Sequence, residues 1–195
     1  MNRRERHARL FHSIALPYSW FFAGQARAYA ESFDRGRGRL PDPAGKTALD
    51  LGCGTGAFSL ALREEGWKVQ GIDVAAAMVG QARKRGLECG IGDVLEGLGF
   101  PDASFDLVSA AYVAHGLAPE DRPALYRETR RLAKELVLFH DFNSRRSLGV
   151  ELLEWLERSD YRNFILNGKK EMEAHFARVE VLEVGPQAAW YLCRP

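Results

Sequence analysis

The segment Asp-Leu-Gly-Cys-Gly-Thr-Gly over 50–56 combines a carboxylate with three glycines. Glycine permits tight turns and lets backbone N–H groups approach a ligand closely, as loops that hold nucleotide-like cofactors require. Gly52, Gly54 and Ala57 also satisfy the G-x-G-x-x-A spacing of a dinucleotide-binding turn, so the glycines alone leave the cofactor open. Asp50 distinguishes between cofactors, because a carboxylate beside the loop would repel a pyrophosphate and attract a cationic group.

Predicted strands and helices alternate around this loop. Hydrophobic patterning predicts strands at 47–51, 68–73, 87–91, 105–111 and 135–140, and helices at 56–65, 75–85 and from Asp121 onward. Further helices are predicted at 147–158 and 169–176, and strands at 178–184 and 188–193. The alternation indicates an α/β, doubly wound, mostly parallel sheet. The short Gly185-Pro186 turn makes the last two strands an antiparallel hairpin.

The beginning of the chain has a different pattern. Aromatic residues are frequent over 1–35 and predict one or two helices broken at Pro17, and charged residues with glycine and proline over 34–45 indicate a flexible linker. Residues 1–45 are therefore predicted to form an N-terminal helical cap and linker, and residues 46–195 the main domain. We expect Arg35, Arg37 and Arg39 to be solvated residues of the linker, in preference to binding a phosphate or RNA.

Asp50, the third glycine at Gly56 and the terminal hairpin favour a cofactor other than a dinucleotide. S-adenosylmethionine combines an adenosine with an ammonium and a sulfonium, and from Thr47 to the C-terminus the chain resembles the class I S-adenosylmethionine-dependent methyltransferases. The resemblance implies a seven-stranded Rossmann-like sheet and methyl transfer to a small-molecule acceptor. The minimal core behind an aromatic N-terminal segment is similar to the branch that includes quinone-biosynthesis methyltransferases.

The resemblance also assigns the cofactor loop. In the family this loop cradles the amino-acid end of S-adenosylmethionine, which makes Asp50, Gly52, Cys53, Gly54 and Gly56 candidate cofactor-binding residues. Asp50 has an alternative role, the satisfaction of N–H groups in the loop. The side chain of Cys53 is expected to serve for packing, not as a nucleophile.

Two further carboxylates follow successive predicted strands. The resemblance implies that Asp73, with Val74 beside it, binds the ribose hydroxyls, since a carboxylate accepts hydrogen bonds from both. It also implies that Asp93 accepts from the adenine amino group and that Val94 neighbours the ring. The alternative for Asp73 and Asp93 is a helix-capping role.

The resemblance places acceptor chemistry after the fourth strand, whose end faces the methyl group and the acceptor in the family. His115 in that loop is the candidate general base, and local hydrogen bonding is its alternative role. A structural role is favoured for His140 and Asp141. Tyr18 is expected to cover the cofactor as part of a lid, with core packing as its alternative. The family's Pro-Gly-Gly turn before the fifth strand is absent.

Composition limits the partners. Lys and Arg number 27 and Asp and Glu 26, so a net charge of +1 provides no field that would gather nucleic acid or anionic lipid. No apolar run approaches the roughly 20 residues of a membrane-spanning helix. Three scattered cysteines suit neither a disulfide framework nor a zinc site, so we expect a cytoplasmic protein without a bound metal.

Three other functions remain open from the sequence. An NAD(P)-dependent oxidoreductase is disfavoured by Asp50 and the terminal hairpin. An RNA or protein methyltransferase lacks an Asn-Pro-Pro-Tyr-type motif after the fourth strand. A non-catalytic cofactor-binding module would bind without turnover. The sequence determines neither the acceptor nor the oligomeric state.

Overall fold

The computed structural model describes residues 22–145 and 160–195. In chain order the elements are α1 Phe22–Gly36, β1 Thr47–Leu51, α2 Ala57–Glu64, β2 Lys68–Asp73, α3 Ala76–Lys84, β3 Cys89–Ile91, β4 Phe105–Ala111, α4 Arg122–Leu132, β5 Ala133–Phe142, α5 Tyr161–Glu173, β6 Arg178–Glu183 and β7 Ala188–Arg194. The seven strands are ordered β3-β2-β1-β4-β5-β7-β6. The predicted α/β class and the seven-stranded, mostly parallel sheet are thus confirmed.

The first of two compact units comprises the described residues from 22 to 93. Its strands β1, β2 and β3 pair in parallel, with Asp50 opposite Gly71 and Asp73 opposite Ile91. Four of the five residues of β1 are buried, as expected of a strand covered on both faces. The carboxyl ends of all three strands therefore point to one edge, which is where ligands bind in such sheets.

The second unit comprises the described residues from 94 onward, 94–145 and 160–195. Strands β4 and β5 pair in parallel, and β7 pairs antiparallel with both β5 and β6. The predicted C-terminal hairpin is therefore confirmed. Strand β7 lies between two neighbours and is buried along six of its seven residues, whereas β6 at the sheet edge has no fully buried residue.

Helix α1 packs on the first unit. The Tyr29 and Phe33 rings lie 5.0 and 5.5 Å from the ring of Phe58 on α2. The prediction of a flexible linker from residue 34 was wrong at its start, because α1 continues to Gly36 and a 3₁₀ turn spans Arg37–Arg39. Arg37 forms ion pairs there with Asp34 and with Glu65, the latter at 3.2 Å.

Helix α5 begins earlier than the pattern predicted. The expected helix at 169–176 is instead Tyr161–Glu173. Asn163, Asn167 and Gly168 weaken the helical propensity of its first half. Tertiary packing overrides this weakness, because Tyr161 and Phe164 are almost fully buried and the Phe164 ring covers Gly168. A Cβ at Gly168 would lie 2.7 Å from Cε2 of that ring.

Buried Arg122 fastens α5 to the start of α4. Its Nε and Nη2 donate to Glu171 at 2.6 and 2.8 Å, and its Nη1 donates to Asp160 and to the carbonyl oxygen of Leu117. Burial disfavours the charge of Arg122, but the bonds from Glu171 and Asp160 outweigh burial and raise its pKa. The cluster joins two segments distant in sequence, 117–122 and 160–171.

Strand β5 is longer than predicted at both ends, so that Asp141 lies within it. Strand β3 is shorter, beginning at Cys89 instead of 87. The predicted helix at 147–158, the break at Pro17 and the lid residue Tyr18 lie outside the described residues. Within 22–145 and 160–195, no helix is long and apolar enough to span a membrane.

Candidate functional site

The glycine loop connects β1 to α2 and is held by the backbone of β2. Gly52, Gly54 and Gly56 all have positive φ, at 66°, 53° and 89°. The N–H groups of Gly52 and Cys53 both donate to the Ile72 carbonyl, at 2.8 and 3.1 Å, and the Gly56 N–H donates to the Cys53 carbonyl at 2.8 Å. The loop conformation is thus fixed by two strand ends and requires residues that tolerate a left-handed backbone.

Gly54 and Gly56 serve different purposes. A Cβ at Gly56 would lie 2.2 Å from Cδ1 of Leu87 and 3.2 Å from Cβ of Ala82, so α3 and its following turn pack directly on the loop. A Cβ at Gly54 would meet no atom of residues 22–145 or 160–195 within 4 Å. Gly56 is therefore required for packing, whereas Gly54 leaves open space that a ligand can approach.

Asp73 joins the end of β2 to the glycine loop. Its Oδ2 accepts the Gly54 N–H at 2.8 Å, and its Oδ1 accepts the Ala75 N–H at 2.8 Å in the turn that leads into α3. Burial raises the pKa of Asp73, and the two backbone N–H bonds oppose this only in part. A carboxylate has about four lone-pair sites, so these two bonds leave acceptor capacity for a ligand.

Asp50 is more deeply buried than its place in the glycine motif suggests. It is a buried residue of β1, and its Oδ2 accepts the Ser59 hydroxyl at 2.6 Å. Ser59 belongs to the first turns of α2. Asp50 therefore ties α2 to β1 beneath the loop, and its effect on a bound cation remains a prediction.

The loops that follow β2 and β3 are also joined. The Gly92 N–H donates to the Asp73 carbonyl at 3.1 Å, and Asp93 follows as a partly buried residue. No helix occurs between β3 and β4, both within the described range 22–145, so the helix-capping alternative for Asp93 was wrong. Val74 and Ile91, at the ends of β2 and β3, are 47% and 61% exposed. Exposed apolar side chains beside Asp73 suit an aromatic ring of a ligand.

The second unit holds His115 in the 3₁₀ turn Ala114–Gly116 after β4. Its Nδ1 lies 2.7 Å from Oδ1 of Asp141, and its backbone N–H donates to Oδ2 of Asp141 at 3.3 Å. The partner is 26 residues away along the chain. The hydrogen bonding of His115 therefore extends beyond its own turn, and its role as general base stays a prediction.

Aromatic rings enclose the histidine. The ring of Phe142 lies 4.8 Å from that of His115, Tyr112 lies at 5.9 Å and Phe164 at 6.5 Å. Tyr112 itself has φ 55°, a conformation that non-glycine residues rarely adopt, and its N–H donates to the His140 carbonyl at 2.7 Å. Strained backbone of this kind occurs often at functional sites.

His140 differs from His115 in its hydrogen bonding. Its Nδ1 accepts the Trp190 Nε1–H at 2.9 Å, and burial lowers its pKa to about 4. It is therefore neutral at physiological pH, with its proton on Nε2. The structural role predicted for His140 is consistent with this contact, whereas Asp141 contacts the candidate base.

The fold and the loop define a doubly wound α/β domain with a cofactor loop at the carboxyl edge of its strands. Residues 48–135 match a family described as "Methyltransferase domain". Over this segment the chain is similar to S-adenosylmethionine-dependent methyltransferases. The match confirms the resemblance inferred from the sequence.

Curated relatives agree with this match. The chain is 39% identical over 92 residues to the malonyl-[acyl-carrier protein] O-methyltransferase of Serratia marcescens, covering 44% of this chain and 35% of that protein. It is 48% identical over 48 residues to the ubiquinone biosynthesis O-methyltransferase of Pseudomonas paraeruginosa, covering 25% and 21%. The chain thus spans about a third, or less, of the length of these curated relatives.

Among solved structures, the DhpI–SAH complex superimposes with a TM-score of 0.74 at 22% identity, covering 98% of this chain and 96% of that one. At this identity the likeness establishes the fold. It extends the fold assignment beyond the matched segment 48–135.

The structure adds residues that sequence reasoning undervalued. Asp141 was expected to be structural because nothing in its local sequence indicates a partner 26 residues earlier. Ile91 is the last residue of a short apolar strand, and the sequence pattern did not indicate that its side chain is exposed. No group of three or more His, Cys, Asp or Glu side chains suited to a metal ion occurs in 22–145 and 160–195.

Proposed function

We propose that the protein transfers a methyl group from S-adenosylmethionine to a small-molecule acceptor. The observation that carries the proposal is the 2.8 Å hydrogen bond from the Gly54 N–H to Asp73. It brings together the two parts of the expected cofactor site, the glycine loop and the acidic end of β2. The match to a methyltransferase domain family over 48–135 and the relatives named as O-methyltransferases support the same function.

The residues present fit this cofactor. The open space at Gly54 admits the amino-acid end, and the remaining acceptor sites of Asp73 suit two ribose hydroxyls. Val74 and Ile91 offer apolar contacts to adenine, with Asp93 as acceptor for its amino group. Val94 and Tyr18 remain predicted contacts. Backbone groups of Gly52, Cys53 and Gly56 hold the loop in shape.

Methyl transfer requires positioning above all. Bound S-adenosylmethionine supplies an electrophilic methyl group on a sulfonium. The loop residues of the first unit orient the cofactor, because an in-line displacement gains mainly from alignment of the two partners. His115 accepts the proton that a hydroxyl or ammonium acceptor must lose, a contribution of about 10²–10⁴-fold.

The division at residue 45 and the remaining partner assignments belong to the proposal. Residues 1–45 act as cap and linker and 46–195 as the catalytic domain. The near-neutral charge balance argues against nucleic acid as substrate. A small acceptor in the cytoplasm remains the prediction, with its identity and the oligomeric state open.

Calorimetry with S-adenosylhomocysteine and with NAD⁺ tests the cofactor assignment directly. We expect heat of binding with the former, and a raised melting temperature, since a ligand that binds only the folded state stabilises it. Binding of NAD⁺ alone would favour the oxidoreductase. Absence of any response to S-adenosylhomocysteine at millimolar concentration would refute the proposal.

A further inference from the structure

The geometry points to Asp141 as a positioning residue that fixes the tautomer of His115, so that Nε2 receives a proton from a hydroxyl-bearing acceptor. The inference rests on the proposed methyl transfer and names the class of its acceptor. Asp141 does not itself receive the proton. Its role is to orient the imidazole and to stabilise the positive charge that forms on it.

Asp141 is surrounded by hydrogen-bond donors. Its Oδ1 accepts the Phe142 N–H at 2.8 Å and faces Nδ1 of His115 at 2.7 Å. Its Oδ2 accepts the His115 backbone N–H at 3.3 Å. A carboxylate in this position only accepts, so Nδ1 of His115 is the donor and carries the ring proton. The lone pair of the neutral ring is then on Nε2.

Burial strengthens this arrangement. The Asp141 side chain has no exposed surface, and that of His115 is 9% exposed. Charges interact more strongly where water is excluded. When Nε2 takes a proton, the imidazolium forms next to the buried Asp141 carboxylate, which stabilises the charge. The hydrogen bond to the backbone N–H of His115 also fixes where the turn lies against β5.

A base of this kind indicates which acceptor the enzyme needs. A carboxylate acceptor is already ionised at neutral pH and requires no base, whereas a phenol, an alcohol or an ammonium arrives protonated. Of these, similarity to a relative named as a ubiquinone biosynthesis O-methyltransferase favours the hydroxyl. As the acceptor oxygen bonds to the methyl carbon, the carbon–sulfur bond of the sulfonium breaks and its electron pair stays on sulfur. The acceptor proton goes to Nε2 of His115. The aromatic rings around His115 favour an acceptor that itself carries a ring.

The tautomer can be read without any acceptor. In ¹⁵N-labelled protein, long-range ¹H–¹⁵N correlation spectra distinguish the protonated from the lone-pair ring nitrogen, with His115→Gln and His140→Gln as assignment variants. We expect the proton on Nδ1 of His115 and on Nε2 of His140, which bonds Trp190 in the opposite sense. A proton on Nε2 of neutral His115 in the unaltered protein would overturn the inference, whatever the variants do.

Asp141→Asn then tests the cause. We expect a loss of the Nδ1–H population at His115, its partial return in Asp141→Glu, and an unchanged His140, which serves as the internal control. Binding of S-adenosylhomocysteine should remain, because the loop residues and Asp73 are untouched. An unchanged His115 tautomer in folded Asp141→Asn protein would contradict the positioning role.

Two isomeric probes test the acceptor class. Methyl 4-hydroxybenzoate offers a phenol and 4-methoxybenzoate a carboxylate on the same ring. With methyl-labelled S-adenosylmethionine, we expect label in the phenol only, and about 10²-fold slower labelling, or more, with Asp141→Asn. Label in the carboxylate alone, or in neither probe while S-adenosylhomocysteine still binds, would overturn the hydroxyl assignment. Loss of S-adenosylhomocysteine binding itself would instead refute the proposed function.

Discussion

Alanine at Gly56 should destabilise the protein strongly, because two independent costs add there. The first is the left-handed backbone at φ 89°, which costs an alanine about 1–2 kcal/mol. The second is steric, since the new Cβ would lie 2.2 Å from Cδ1 of Leu87. Overpacking of this kind adds about 1–3 kcal/mol. The free energy of unfolding should therefore fall by about 2–5 kcal/mol.

Two matched glycines separate these costs. Gly86 has φ 71°, and a Cβ added there would meet no atom of the described part of the chain within 4 Å, so Gly86→Ala should carry only the backbone cost of about 1–2 kcal/mol. Gly54 has φ 53° and equally open space, so Gly54→Ala should lose similar stability. Its methyl group, however, would occupy space assigned to the cofactor. Affinity for S-adenosylhomocysteine should then fall about tenfold or more, the equivalent of at least 1.4 kcal/mol.

Denaturant unfolding measures the stability of the three variants, and calorimetry measures their affinity for S-adenosylhomocysteine. The packing argument fails if Gly56→Ala is no less stable than Gly86→Ala. The assignment of the open space at Gly54 fails if Gly54→Ala binds S-adenosylhomocysteine as tightly as Gly86→Ala does. The Gly86 variant controls for the general effect of alanine at positive φ, which both comparisons share.

Further predictions concern two charged side chains. The pKa of Asp73 in the folded protein is raised above 3.8, so its ionisation opposes folding. The free energy of unfolding should therefore fall as pH rises from 3.8 through the folded pKa. Asp73→Asn should remove this pH dependence in denaturant titrations. The same variant should weaken S-adenosylhomocysteine binding, and the affinity of the unaltered protein should decline as pH drops through that pKa, as calorimetry at several pH values can show. Arg122→Ala should lower the free energy of unfolding by about 3–5 kcal/mol, since it strands Glu171 and Asp160. Arg122→Met strands the same carboxylates but keeps much of the packing, so denaturant curves should show it to be nearly as destabilised as Arg122→Ala if the lost charge dominates.

Local sequence was sufficient for the first unit. The strands at 47–51 and 68–73 were predicted to the residue, because alternation of apolar residues and the turn-forming glycines mark their ends. The positive φ at Gly52, Gly54 and Gly56 follows from the same motif. The motif did not predict how deeply Asp50 is buried. Its carboxylate accepts a hydrogen bond from the Ser59 hydroxyl inside the unit.

Prediction was weaker where packing overrides propensity. Asn163, Asn167 and Gly168 in α5 have low helical propensity and favour a loop prediction. The helix forms because the Phe164 ring packs over Gly168, a contact that the sequence does not indicate. In the 3₁₀ turn at Arg37–Arg39, Arg37 likewise pairs with Glu65, a contact that the sequence does not predict.

The order of glycines and acidic residues along the chain determined the class of fold, the cofactor loop and Asp73, because these depend on backbone conformation and on where strands end. The pairing of His115 with Asp141, the opposite tautomers of the two buried histidines and the open space at Gly54 were decided only by tertiary structure. Each of these depends on which side chains meet across strands and turns, and that is a property of packing in three dimensions.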